Sequence, residues 1–341
     1  MKKVLSLSIL IVMLSVTIFT ATKQKLYIYN WSDYIPQEVI EKFEKLYNCK
    51  VIYDTYDSNE TMYAKLKAGA RGYDIAFPSG DYTQIMIKEG MVVPLDKSKI
   101  PNFKYIDPEV LKKIDYDPGN KYSVPYQMGS TGIAVNTKYL KDYPRSWKIF
   151  EMKEIKGKAT LLDDMREVFG AALKYLGYSV NTTNMEELEE AKNVILRWKE
   201  NIAKFDNELF AKGVISGEFW IVHGYGENIF YEATEEEAKN IDFFIPKEGG
   251  TLWIDNMVIL KGARNVDLAY KFINFILEPE IAAEISDYLL LPCIIVPARG
   301  FIKEKRIYTI EELKNCEMIK DLGKNLRIYN ELWNEIRFGM W

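Results

Sequence analysis

Residues 25 to 90 alternate short apolar strands with amphipathic helices three times over, and few folds accept that rhythm. "KLYIY" (25–29) reads as a strand. Pro36 suits the first turn of the helix that follows, in which Val39, Ile40, Phe43 and Leu46 recur at helical spacing. "KVIY" (50–53) is a second strand. Asp57 and Glu60 are spaced as a capping box before a helix that Gly69 stops. "YDIAF" (73–77) is a third strand, broken by Pro78, and the next helix ends at Gly90. This order predicts a parallel sheet with helices on both faces, because right-handed crossovers lay each strand beside an earlier one.

A second unit of the same kind begins after "SVPYQMGSTGIAVN" (123–136). "KATLLD" (158–163) is a strand, and the helix after it stops at Gly177. Asn184 and Glu187 signal the start of a long amphipathic helix. "GEFWIVHGYGENIFYEA" runs from a strand through glycines into a helix. "IDFFIP" and "TLWIDNMVIL" are strands, and after residue 265 the chain reads as mostly helical. A length of 341 residues fits about two domains. No Pro/Ser-rich linker parts the halves, so the two lobes should join through strands.

The N-terminus stands apart. Met1-Lys2-Lys3 is a short basic start, and Val4 to Phe19 is an apolar run. Residues 1–22 read as a secretory signal peptide with cleavage near Ala21 or Thr22. The alternative, an uncleaved anchor, rests on Phe19, a poor residue for a cleavage site. The protein is therefore expected to be exported. Without its leader the chain carries a net charge of about −6, a poor match for nucleic acid and a reasonable one for a cation.

The residue inventory narrows the chemistry. Three cysteines, Cys49, Cys293 and Cys316, show no CxxC spacing and leave at least one free thiol. They are expected in the core, with one bridge left open. His223 is the only histidine, which argues against a histidine-built metal site or a serine-type triad. It is read as a packing residue.

Ligands in open α/β sheets bind beyond the carboxyl ends of the strands. Strand one is followed by Trp31, Ser32, Asp33 and Tyr34, and strand three by Ser79 and Asp81. Asp164 and Glu167 follow "ATLLD", and Tyr225 and Glu227 follow "FWIVHG". Trp253 and Asp255 lie two apart on one strand and so share a face. Any one of these has an ordinary explanation, a core tryptophan or a helix-capping aspartate. Asp33 is assigned to capping and Trp31 to ligand contact. Together they suit ammonium groups joined by methylenes. Cation–π contact over an aromatic face contributes roughly 0.5–2 kcal/mol, and a charge-assisted hydrogen bond roughly 1.5–3 kcal/mol. That is a polyamine site.

Long motifs then point to one family. "LYIYNWSDYIPQEVIEKFEKLYNCKVIYDTYDSNETMYAKLKAG" closely resembles the substrate-binding proteins of bacterial spermidine/putrescine ABC importers. "DIAFPS", "PYQMGSTGIAVN", "DDMREVFGAALKYLGYSVNTT", "PKEGGTLWIDN" and "KFINFILEPEIA" continue the likeness. The resemblance implies an α/β fold, a two-lobed type II periplasmic binding protein. Lobe one would be 24–130 with 254–299, and lobe two 131–253 with 300–341. It implies Trp31, Ser32, Tyr34, Ser79, Asp164, Glu167, Tyr225, Trp253 and Asp255 as ligand contacts. Asp81 stands where an aromatic is common and is added to that set. Tyr225 replaces a tryptophan, and Ile319 falls where spermidine binders carry a glutamine. A monomer in the periplasm that meets ABC permease subunits is implied, with no cofactor, no metal and no catalytic residue.

Within the family, both acids of "DDxREVF" and a tryptophan before the aspartate go with spermidine preference. An aspartate at the position of Asn228 goes with putrescine. Other readings are a binder of thiamine-like cations or of ferric iron held by phenolates, and a ligand-presenting sensor. An enzyme using Asp164 and Glu167, or Cys49 with His223, is a further class. The last pairing should fail, because Cys49 belongs to the wrong end of the sheet.

Overall fold

The computed structural model of the chain describes residues 23–339; the expected leader, 1–22, lies outside them. The eleven strands among the described residues form two sheets. The first contains β1 (Lys25–Trp31), β2 (Lys50–Tyr56), β3 (Ile75–Ala76) and β4 (Ser123–Gly129). The second contains β5 (Gly132–Asn136), β6 (Ala159–Leu161), β7 (Ile202–Phe205), β8 (Ile221–Gly224) and β9 (Ile241–Phe244). The chain then returns to the first sheet with β10 (Thr251–Ile259) and β11 (Glu317–Met318).

The strand orders are β11-β10-β3-β1-β2, with β4 on β10, and β7-β6-β8-β5-β9. Each sheet has three parallel strands beside a reversed one, β10 in the first, where β11 runs with it, and β5 in the second. In both cases the reversed strand is the one laid down just after the chain crosses over. The fold is thus a mixed α/β two-lobed architecture, mostly parallel in each sheet, as the alternation predicts.

Apolar periodicity explains the packing. Helix Gln37–Tyr47 buries Val39, Ile40 and Phe43. The Phe43 ring meets Phe272 at 4.9 Å and Phe275 at 5.4 Å on helix Val266–Ile276. Under the second sheet, Trp147, Phe150 and Trp198 stack within 5.7–6.3 Å of one another. The C-terminal helix Leu326–Phe338 returns to that core with Tyr329, Leu332 and Ile336.

Several local expectations change. Leu46 is 60% exposed; Tyr47, four residues after Phe43, packs on the core in its place. Ser58 caps helix Asn59–Lys67 instead of Asp57, accepting from Thr61 N at 3.1 Å. Asp33 caps nothing: it sits in the left-handed region at φ 51°, four residues before a helix that starts without a side-chain cap. Strand three shrinks to two residues, since the Asp74 carboxylate binds Tyr27 N, Arg264 N and Asn265 N beside it. After helix Pro279–Leu289 the chain runs mostly as turns until residue 326, which is less helix than expected. All three cysteines are buried and free, so the open bridge does not form. Among the described residues no helix is long and apolar enough to cross a membrane.

Candidate ligand-binding site

Asp255 is the most heavily bonded of the candidate acids on the first sheet. It lies on β10 opposite Gln127 of β4, at a register shift between Asp255 and Asn256. Its Oδ2 accepts from the Tyr34 hydroxyl at 2.7 Å and its Oδ1 from the Ser79 hydroxyl at 2.6 Å. Both donors come from strand exits. Ser79 precedes helix Gly80–Lys88 but spends its hydroxyl on Asp255 instead of capping. Asn59 fixes it from both sides, donating to its Oγ at 3.0 Å and accepting from its N at 3.2 Å. Tyr34 is held by the edge of Tyr126, which donates to Tyr34 O. Burial pushes the Asp255 carboxyl up to about 6, against the pull of its two hydroxyl partners, and nearby Asp81 adds to the rise.

A pair of acids opens helix Met165–Leu176. Asp164 is the N-cap, its Oδ1 accepting from Arg166 N at 2.8 Å and Glu167 N at 3.1 Å. Those bonds are the ordinary capping role, and Oδ2 has no hydrogen-bond partner among the described residues. Glu167 is buried and accepts from the hydroxyls of Thr131 and Thr251. Burial, with Asp164 beside it, pushes Glu167 up to about 7; burial also raises Asp164.

Glu227 is a further acid here, one that the sequence places with Tyr225 at a strand exit but that the resemblance does not imply as a ligand contact. It stands in the first turn of helix Gly226–Glu232. Burial and then Asp255 push it up to about 7, and its Oε2 is buried with no hydrogen-bond partner among the described residues. The signal was available: Glu227 follows β8 as Asp81 follows β3 and Glu167 follows β6.

The rings fill the space between. The Tyr225 phenol is pushed up by burial and then by Glu167, Asp164, Glu227 and Asp255, so it stands among all four carboxylates. Trp253 lies against Gly129, where a Cβ would come within 2.3 Å of the indole Cζ2 and 2.5 Å of the Tyr308 Oη. The Trp253 indole N–H is buried without a partner among the described residues. Trp31 gives its indole N–H to Phe77 O at 3.0 Å and packs on Tyr56, so only ring surface remains for contact. Ser32 is exposed beside it.

Positive charge is scarce here. Arg166 lowers Asp81, Asp164 and Glu167 through its field, yet its two terminal nitrogens are committed elsewhere and its Nε is buried without a partner among the described residues. It donates to Lys320 O at 3.1 Å, Val180 O at 3.3 Å and Asn181 Oδ1 at 2.9 Å. Among the described residues no lysine or arginine pairs with Asp81, Asp164, Glu167, Glu227 or Asp255. Half-buried Asp81 is pushed up to about 6 by burial. Buried carboxylates left without cations are costly unless something supplies the charge.

His223 packs as expected, fully buried with its edge on Trp147. It also contacts the site, with Nε2 3.0 Å from Thr131 Oγ1. Burial pushes it down to about 3, so the ring is neutral. Cys49 directly precedes β2, whose first residue pairs with the first residue of β1. It is therefore at the end of the sheet opposite Trp31, and the Cys49–His223 pairing fails as expected.

The bacterial extracellular solute-binding protein family matches residues 38–295. The chain belongs to that family. It is 39% identical over 322 residues to the spermidine/putrescine-binding periplasmic protein of Escherichia coli, covering 92% of each chain. It is 37% identical over 333 residues to the putrescine/cadaverine-binding protein of Pseudomonas aeruginosa, covering 92% of this chain and 94% of the relative. Among solved structures, the TpPotD lipoprotein of Treponema pallidum superimposes with a TM-score of 0.89 at 45% identity, over 92% of this chain and all of the other. A spermidine/putrescine ABC transporter substrate-binding protein of Streptococcus pneumoniae gives 0.86 at 35% identity, over 92% of this chain and 99% of the other. The family assignment read from the motifs therefore holds, and with it the two-lobed fold. These relatives are binding proteins, and the chain is a solute-binding protein rather than an enzyme.

Proposed function

We propose that this protein captures a linear polyamine between its two lobes, outside the cytoplasmic membrane, and delivers it as a monomer to the permease subunits of an ABC importer. One observation carries the reading: Asp164, Glu167, Glu227 and Asp255 stand around Tyr225, Asp81 adds its field to Asp255, and no lysine or arginine pairs with any of the five among the described residues. Protonated amines spaced by methylenes satisfy both parts, the charges by hydrogen bonds and the chain by ring faces. The names of the relatives support the same class of ligand. Trp31, Ser32, Tyr34, Ser79, Asp81, Asp164, Glu167, Tyr225, Trp253 and Asp255 are the proposed contacts, and Glu227 joins them. The lobes are proposed as 24–130 with 254–299 and 131–253 with 300–341.

Spermidine is proposed as the preferred ligand. Asp164 with Glu167 and Asp255 with Glu227 form two acidic ends, and a third ammonium finds Asp81. A short diamine leaves some of these buried carboxylates unpaired. One observation favours the opposite order. Glu227 sits beside Asn228, the position whose acid goes with putrescine preference, and supplies a carboxylate there. Native mass spectrometry of the purified protein, followed by calorimetric titration with spermidine, putrescine and cadaverine, tests both statements. A protein that carries no amine and binds none of the three ends the polyamine reading. Equal or tighter binding of putrescine ends the spermidine preference alone.

A further inference from the structure

Glu167 faces two ways. Its Oε2 accepts from Thr131 Oγ1 at 2.6 Å and also from Thr251 Oγ1. The two hydroxyls belong to different crossings between the sheets. Thr131 fills the two-residue gap between β4 and β5, and Thr251 opens β10 on the return. They stand 3.4 Å apart.

The helix that carries Glu167 is seated on the second crossing. Gly170, one turn further along, leaves no room for a side chain: a Cβ there would come within 2.4 Å of Thr251 Cγ2. The third passage of the chain abuts the same place. β11 pairs with Thr251 and Leu252, Glu317 N donates to Gly250 O at 3.0 Å, and Cys316 Sγ lies 3.6 Å from Ser130 Oγ. All three passages between the sheets thus meet at Thr251, one of the two hydroxyls that hold the Glu167 carboxylate.

The hydrogen-bond directions are fixed from behind. Thr131 spends its one hydroxyl proton on Glu167, so towards the neutral His223 ring it can only accept. The Nε2 of His223 therefore carries the proton, and its Nδ1 is buried without a partner among the described residues. Asp164, Arg166 and Tyr225 are the other titratable groups whose fields reach Glu167. Hydrogen bonds to an ionised carboxylate are about twice as strong as those to a neutral acceptor, so an ammonium that keeps Glu167 ionised also tightens both threonine bonds.

We propose that Glu167 ties the ligand to the hinge, and that Thr131 and Thr251 are positioning residues that slow ligand release by fixing the spacing of the two crossings through it. This rests on the reading of Glu167 as an ammonium contact. The test is stopped-flow tryptophan fluorescence with spermidine on the full mature chain. Thr251→Val is the cleaner variant, because Thr131 also serves His223. Thr251→Val should release spermidine roughly tenfold faster with association nearly unchanged, and its unfolding midpoint without ligand should stay within about 2 °C of the wild type. Thr251→Ser, which restores the hydroxyl, should return the release rate to that of the wild type. If Thr251→Val does not fold, Thr251→Ala and Thr131→Val carry the same comparison. A wild type that binds while the valine variant releases within about twofold of it overturns the tie and leaves the polyamine reading intact. A wild type that binds no polyamine overturns both.

Discussion

Tyr34 and Asp255 lie 221 positions apart and share a hydrogen bond of 2.7 Å, with the phenol donating to the carboxylate. The bond joins the exit of β1 to the strand that re-enters the first sheet from the second. It shows what the sheet order achieves: β10 is brought beside β3 in reverse, so residues from the last third of the chain meet those from the first hundred.

Asp255 receives two hydroxyl protons, from Tyr34 and Ser79. Replacing it with asparagine removes the charge and turns an amide donor toward at least one hydroxyl. Asp255→Asn is expected to weaken polyamine binding by about 2–5 kcal/mol, the usual loss when a buried charge pair is broken. Calorimetry on the variant checks this, and a loss below about 0.5 kcal/mol would remove Asp255 from the role of anchor.

The second expectation concerns protons. Burial holds Asp255 and Asp81 at about 6 and Glu167 and Glu227 at about 7, all above the ordinary carboxylate range. An ammonium favours the ionised forms, so binding near pH 6.5 should release protons, and affinity should fall as pH falls through the window from about 7 to 6. Titrations at that pH in buffers of different ionisation enthalpy read the proton count directly. Identical enthalpies in all buffers would contradict the raised carboxyls.

The same groups affect stability with a definite sign. A carboxyl raised on folding binds more protons in the native state than in the unfolded state between about 4 and 7, so its contribution to stability declines as pH rises through that window. His223, pushed down to about 3, acts the other way below its ordinary value. Comparing bound with free protein isolates the site. The rise in unfolding temperature with saturating spermidine should be larger at pH 8 than at pH 5.5, and differential scanning calorimetry measures it. A rise that shrinks with increasing pH would count against cation binding at these acids.

Much of this was legible in the sequence. Alternation of period-2 and helical segments gives both sheets, and aromatic–acid pairs at strand exits give Tyr34, Ser79, Asp255, Asp164 and Glu167. Asp33 and Asp57 illustrate what pattern cannot decide. Each stands near a helix start, but capping depends on a backbone turn, and here Ser58 takes the one role while a left-handed Asp33 leaves the other helix uncapped. Thr131, Thr251 and Gly129 carried no signal, because their roles arise only where distant crossings meet. Glu227 does carry one, the same strand-exit position as Glu167, although the family motifs do not imply it as a contact.

Closure is the fourth expectation. Lys88 pairs with Asp321 at 3.1 Å and Lys320 with Asp115, linking segments of the two proposed lobes. These pairs are exposed, and such pairs contribute about 0–1 kcal/mol each. The ligand should therefore hold the lobes together. Small-angle scattering should show a smaller radius on adding spermidine, both for the wild type and for Lys88→Ala. A radius that does not change for the wild type would refute closure, and one lost only in Lys88→Ala would shift the credit to the ion pair.

The last expectation separates the two ends of the site. Asp164 caps its helix through Oδ1 alone. An alanine there would remove the cap as well as the charge, at a stability loss of roughly 0.5–2 kcal/mol. Asparagine keeps an oxygen for both backbone N–H groups and discards only the charge. On the proposed reading, putrescine needs one acid at each end, Asp255 with Glu227 and Glu167, and can do without Asp164. Spermidine, with its third ammonium at Asp81, would span the whole site and draw on Asp164 beside Glu167. Asp164→Asn should therefore reduce spermidine affinity by about tenfold, on the order of one charge-assisted hydrogen bond, while changing putrescine affinity far less. Competition titrations of both amines on the wild type and the variant measure the ratio. An equal loss for the two amines would mean that Asp164 contributes to the general field of the site, and that the choice between amines is made at Glu227 and Asn228 instead.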